Sequence, residues 1–185
     1  MSEQDREYHM EHRRSTREAY DRLAPVWSET TDEGPFNGFL ERPARRALVP
    51  RPITGARILD AGCGSKAQCE WLLDQGAQVV GIDLSPAMVH QTVDRCGGRG
   101  HFLVADLSEP LPLEAASLDG VTCSLALHYL EDWSVPLASC ADAGFVVERL
   151  VEPQPSPAAV GRFPAQLAPV VGVPWFIVYR LRLAP

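Results

Sequence analysis

From residue 57 onward apolar residues gather in short runs, each closed by a polar, glycine or proline position, and segments with helical spacing fall between them. The runs ARILDA (56–61), AQVVGIDL (77–84), HFLVAD (101–106) and DGVTCSLA (119–126) read as strands. Two more, GFVVERLVE (144–152) and WFIVYRLRL (175–183), follow near the end of the chain. Helices are expected near 67–75, over 86–95 and over 134–142; Ser85 and Pro86 suit the cap and first turn of the second. Strands that alternate with crossover helices specify an α/β fold built on a mostly parallel sheet of about six strands.

Before this alternation the pattern is different. Residues 3–24 are charged and helix-compatible, with a thin apolar side at Tyr20 and Leu23 through which such a helix would dock. A second helix, 39–48, is stopped by Pro50 and Pro52. These observations divide the chain into an N-terminal helical cap, 1–50, and a sheet-bearing domain, 51–185, in which the proline-punctuated stretch 153–174 is a connector.

Composition adds limits. A chain of 185 residues with 45% apolar and 22% charged content can bury one ordinary core, and a net charge of -7 disfavours a nucleic-acid partner. The five cysteines, Cys63, Cys69, Cys96, Cys123 and Cys140, include no CxxC pair, and no apolar leader precedes them. They read as buried thiols of a cytoplasmic protein. No apolar stretch is long enough for a bilayer, so no membrane partner is expected. His9, His12, His90 and His101 lack the spacing of metal ligands, and no metal is expected.

The chemistry concentrates in three aspartates and one turn. Asp60, Asp83 and Asp106 each close an apolar run and recur 23 residues apart, about the length of one strand, one crossover helix and two turns. That spacing aligns them at the carboxyl ends of successive parallel strands, where an open α/β sheet binds its ligand. Between them, Gly62, Cys63, Gly64, Ser65, Lys66 and Ala67 satisfy G-x-G-x-x-G/A, a turn that brings backbone close to a nucleotide. Asp83 is placed to accept two ribose hydroxyls. A nicotinamide and an adenosyl cofactor fit this much equally well. Asp60 separates them: a carboxylate beside the turn repels a diphosphate but stabilises the ammonium and sulfonium of S-adenosylmethionine, directly or through water. Asp106 then suits the adenine amino group, with Leu84 and Met88 offering apolar surface to the ring.

The same residues resemble the motifs of class I S-adenosylmethionine-dependent methyltransferases. ILDAGCGSK is similar to the family's glycine motif, VVGIDLSPAMV to its ribose-binding acidic motif, and FLVADLSEPLPLEAASLDGVTCSLALHYLEDW to its adenine and post-adenine motifs. The resemblance implies a Rossmann-like domain that takes S-adenosyl-L-methionine, yields S-adenosyl-L-homocysteine, and holds the cofactor through Tyr20, Asp60, Gly62, Cys63, Gly64, Asp83, Leu84, Met88, Asp106, Leu107 and Leu125. AYDRLAPVW resembles the family's helix over the cofactor, with Tyr20 and Trp27 as its aromatics. His128 is the candidate base or orienting group; Asn37, Tyr129 and Trp133 are candidates for the acceptor side, with Phe36 and Glu41 beside them. The implied acceptor is a small molecule.

After Trp133 the resemblance breaks. Relatives insert a fifth strand and a substrate-facing segment between SVPLASC and ADAGFVVERL, and this chain passes directly from one to the other. The expected strand order is 3-2-1-4-5-6 with the last strand antiparallel, or 3-2-1-4-6-5. Either arrangement exposes apolar surface and points to homodimerisation or strand exchange. Two rival functions remain: a binding or regulatory remnant that holds the nucleoside without turnover, and, against Asp60, an NAD(P)-dependent oxidoreductase.

Overall fold

The computed structural model describes residues 3–64, 67–130 and 134–184, with the side chains of 3–7, 9, 28–30, 128 and 134–137 left aside. Contacts gather the chain into two compact units that cut across the sequence division at residue 50: Met1–Ser28 with Pro52–Trp133, and Glu29–Arg51 with Ser134–Pro185.

The first unit holds the parallel sheet. Strands β1 (Arg57–Ala61), β2 (Gln78–Asp83), β3 (His101–Val104) and β4 (Gly120–Cys123) lie in the order β3-β2-β1-β4, all parallel. The central strands β1 and β2 are apolar because both faces are covered: Leu59, Ala61, Val80 and Ile82 are buried on one face, Ile58 and Val79 on the other. Helices α3 (Ala67–Asp74) and α4 (Pro86–Arg95) supply the first two crossovers, and Leu72 of α3 is fully buried. The link from β3 to β4 has no helix. Leu107, Leu111, Leu113 and Leu118 pack against the buried cluster in its place. Helix α4 starts where the sequence indicates, with Ser85 Oγ accepting from Met88 N at 3.1 Å.

Helix α1 (Glu3–Thr31) continues past the expected end, through Pro25. Tyr20 docks as expected, against Tyr129, but Leu23 is 41% exposed and Ala24 is buried in its stead. The helix turns its small side to the fold, so Ala24 makes the close approach that the larger Leu23 was expected to make.

The second unit contains α2 (Arg42–Leu48), preceded by a π-helical turn at Asn37–Glu41, then α5 (Ser134–Asp142), β5 (Phe145–Val151), α6 (Pro157–Arg162), α7 (Pro164–Leu167) and β6 (Val178–Leu183). The expected six-stranded order does not form. Strand β5 pairs antiparallel with β6 in a separate two-stranded sheet and does not join β4. The chain needs no crossover to satisfy β5, because β6 meets the backbone groups of nearly its whole length. A register shift between Val147 and Arg149 inserts Glu148 as an extra residue, which keeps Phe145, Val147 and Leu150 on the face shared with Leu181, Leu183 and Tyr179.

The connector 153–174 is likewise more ordered than its prolines suggested. Pro157 and Pro164 sit in the first turns of α6 and α7, where a missing N–H costs nothing, and Ser156 Oγ caps α6 by accepting from Ala159 N at 3.2 Å. Ala159, Leu167 and Val170 form a small core against Phe36, Phe39, Val160 and Phe163. Among the described residues no helix is long and apolar enough to cross a membrane.

Truncating the fully buried Leu72 to alanine removes packing between α3 and the sheet and should lower stability by about 2–5 kcal/mol. Urea unfolding checks this; a loss below about 1 kcal/mol would show that α3 is not a structural wall of the domain.

Candidate active site

The backbone after β1 folds back onto β2. Gly62 N and Cys63 N both donate to the Ile82 carbonyl, at 2.8 and 2.9 Å. Gly62 is held at φ 73°, and a Cβ there would stand 2.5 Å from the Ala126 Cβ, so only glycine fits between β1 and the segment after β4. Gly64 N then donates to Asp83 Oδ2 at 2.9 Å, while Ser85 N donates to Asp83 Oδ1 at 2.9 Å. Thr92 Oγ donates to the Gly64 carbonyl at 3.0 Å and fixes the far side of the turn.

Asp83 is thus a carboxylate clamped at the tip of β2 by the backbone. Burial raises its pKa above the ordinary 3.8, and the charge of Asp60 adds to the rise, while the N–H groups of Ser85, Gly64 and Leu84 pull the other way. Asp60 itself is buried near the end of β1, with Oδ1 accepting from Thr122 Oγ at 2.7 Å and Oδ2 from Cys69 Sγ at 3.3 Å. The Cys69 thiol is held protonated by the neighbouring Cys63 thiol, by burial and by the Asp60 charge, so it serves Asp60 as a donor. Asp60 can therefore act on a ligand through its field or through water, not by direct contact.

Asp106 follows β3, two residues past its end. Its Oδ1 accepts from Ser108 N at 2.8 Å and Ser108 Oγ at 2.5 Å, and its Oδ2 lies 3.3 Å from Arg13 Nε. The three acids expected at one edge of the sheet do share it, at the carboxyl ends of adjacent strands.

Other expected residues separate by burial. Met88 is fully buried on the inner side of amphipathic α4, so it packs in the core and offers no surface to a ring; Leu84 is half-buried. Cys63 is also buried, its sulfur behind Gly81, and only its backbone belongs to the turn. Leu107 packs in the core cluster, and Leu125 stands 43% exposed at φ 53°. Tyr20 of α1 donates to the Tyr129 hydroxyl at 2.6 Å, and its ring meets those of Trp27 and Tyr129 edge-on at 5.3 and 5.4 Å. Burial, then the Tyr129 hydroxyl, push the Tyr20 pKa far above the ordinary phenol value, which makes Tyr20 a donor and no base. His128 lies on the 3-10 turn Leu127–Tyr129, its side chain outside the described atoms, and Trp133 lies outside the described residues. Asn37 stands in the second unit, on the π-helical turn, and Glu41 there pairs with Arg45 at 3.0 Å.

Several partners had no signal in sequence. Asp21 Oδ1 accepts from Ser85 Oγ at 2.5 Å and Ala87 N at 3.2 Å, an anion at the start of α4 supplied by a residue more than 60 positions away. Thr122 had one: a hydroxyl residue inside the apolar run that forms β4, and the structure turns it to Asp60 on the adjacent strand.

Comparison with known proteins follows this geometry. Residues 59–143 match the methyltransferase domain family. The matched segment takes in Asp60, Gly62, Gly64, Asp83 and Asp106. Among curated proteins the chain is 31% identical over 114 residues to a protein of Haemophilus influenzae, covering 58% of this chain and 44% of that one. It is 33% identical over 95 residues to the ubiquinone biosynthesis O-methyltransferase of Xylella fastidiosa, covering 49% and 38%. The chain spans less than half the length of these relatives. In fold it is similar to an S-adenosylmethionine-dependent methyltransferase of Mesorhizobium loti, with TM-score 0.67, 24% identity, and coverage of 83% of this chain and 100% of that one. A counterpart from Listeria monocytogenes gives TM-score 0.64 at 16% identity, covering 78% and 97%.

Two measurements test the site. Gly62→Ala forces a side chain against Ala126 at positive φ and should cost about 1–3 kcal/mol by urea unfolding; an unchanged midpoint would contradict the close approach. Because the folded-state pKa of Asp83 is raised, this group favours folding as pH falls, and opposes it increasingly as pH rises from 3.8 through the folded value. Carbon-detected NMR should place its midpoint above 3.8, and a midpoint at or below that value would contradict the burial argument.

Proposed function

We propose that this chain binds S-adenosyl-L-methionine at the carboxyl ends of β1, β2 and β3 and promotes transfer of its methyl group to a small-molecule acceptor. The observation that carries this reading is the Asp83 carboxylate clamped beside the Gly62–Gly64 turn with buried Asp60 behind it. The donor set fits the group. The Asp83 carboxylate, whose ionisation burial and the nearby Asp60 charge make costlier, repels a diphosphate and favours a ligand carrying an ammonium and a sulfonium. The bound cofactor supplies a methyl group activated on a cationic sulfur.

The chain's own part is binding, orientation and exclusion of water. Asp83 would take the ribose hydroxyls on lone pairs left by Gly64 and Ser85, Asp106 the adenine amino group, and the bare backbone at Gly62 and Gly64 would admit the methionyl tail. Leu84 and Leu125 would border the nucleoside, and Tyr20 and Tyr129 would wall the methyl end with a hydroxyl pair. His128 is the candidate for orienting or deprotonating the acceptor. A cytoplasmic setting belongs to the same reading. So does self-association, supported by the exposure of Phe145, Val147, Leu150 and Leu183 on one face of the β5–β6 ribbon.

Calorimetry with S-adenosylhomocysteine should show binding that weakens at least tenfold, about 1.4 kcal/mol, in Asp83→Ala. Incubation of the protein with methyl-labelled cofactor and a cell extract should label a small molecule above the Asp83→Ala control. Binding without labelling would favour the remnant, and binding of NAD with indifference to adenosyl ligands would overturn the assignment.

A further inference from the structure

Helix α1 runs past the carboxyl ends of three strands of its own unit, and its grip differs from one half to the other. Toward its C-terminal half, Asp21 accepts from Ser85 Oγ and Ala87 N at 2.5 and 3.2 Å, and the Ala24 carbonyl accepts from Gln91. Ser85 and Ala24 are buried, so this anchor is sheltered from solvent. Toward the N-terminal half the hold is electrostatic. Arg13 places Nε 3.3 Å from Asp106 Oδ2 and donates through a terminal nitrogen to Glu109 Oε1 at 2.7 Å, with its side chain 37% exposed. His12 Nε2 lies 3.2 Å from the Tyr129 carbonyl oxygen. Ion pairs this exposed are weak and are screened by salt.

Asp106 is where helix and ligand would meet. Ser108 already donates twice to Oδ1, so Oδ2 is the oxygen open to a new donor, and that oxygen faces Arg13. We propose that Arg13 is a latch that competes with the ligand's exocyclic amino group for Asp106, so that the first half of α1 lets go when the adenosyl cofactor is seated while the Asp21 anchor holds. The inference rests on the reading of Asp106 as the adenine acceptor. Salt weakens the latch without weakening a neutral amino-to-carboxylate bond to the same degree, so moderate ionic strength eases ligand entry.

The test compares wild type with Arg13→Gln and with Arg14→Gln, a control whose guanidinium pairs only distantly, at 3.9 Å, with Glu11 and Glu18. At low salt, Arg13→Gln should bind S-adenosylhomocysteine about threefold more tightly than wild type, and at most roughly fivefold for an exposed pair. Arg14→Gln should match wild type, and the gain should vanish near about 0.5 M salt. Equal or weaker binding by Arg13→Gln at low salt would overturn the latch. Hydrogen exchange on the ligand-free protein separates the two readings. If no variant bound the nucleoside, the cofactor assignment would fall and the competition with it, whereas nucleoside binding with unchanged exchange over amides 8–16 in Arg13→Gln would overturn the latch alone.

Discussion

Two adjacent acceptors on β2 organise the whole first unit. The Ile82 carbonyl takes the N–H groups of Gly62 and Cys63, and the Asp83 carboxylate takes those of Gly64 and Ser85. Three consecutive donors, Gly62, Cys63 and Gly64, thereby stitch the turn after β1 to the tip of β2, and the bond from Ser85 N to Asp83 also sets the start of α4. Loosening this stitch would free the glycine turn, the cap of α4 and the position of Asp83 together. It also explains why a carboxylate persists where burial disfavours its charge: backbone dipoles offset part of the cost, and the remainder is available to a ligand that brings positive charge.

Most of this unit was legible along the chain. The runs ending at Asp60 and Asp83 became β1 and β2 nearly as bounded, because central parallel strands are apolar on both faces and stand out from their flanks. The equal spacing of the three acids translated directly into neighbouring strand ends. Burial was harder to read. Met88 and Leu84 are both apolar residues near one helix start, but the turn of α4 sends Met88 wholly inward. Asp21 and Arg13 were invisible as site residues, since their partners lie more than 60 positions away and no local pattern announces a long-range hydrogen bond.

The second unit was less legible for a different reason. The prolines of 153–174 look like interruptions along the sequence, whereas Pro157 and Pro164 begin helices. Strand β5 was assigned to the large sheet because its length and composition allow a crossover, but nothing in a strand's own residues says which edge it will join. Its partner β6 offers an antiparallel match that no local propensity distinguishes from a parallel one. The extra residue at Glu148, which decides which side chains share a face, leaves no mark in the alternation until the pairing is known.

The central claim is that carboxylates at the crest of this sheet recognise a cationic nucleoside through one backbone-stitched turn. Amide NMR shifts recorded during titration with S-adenosylmethionine and, separately, with NAD address it most directly. The account predicts saturable shifts centred on Gly62, Gly64 and Ser85 with the adenosyl ligand and none there with NAD. Shifts centred elsewhere, or the same three amides responding to NAD alone, would contradict it.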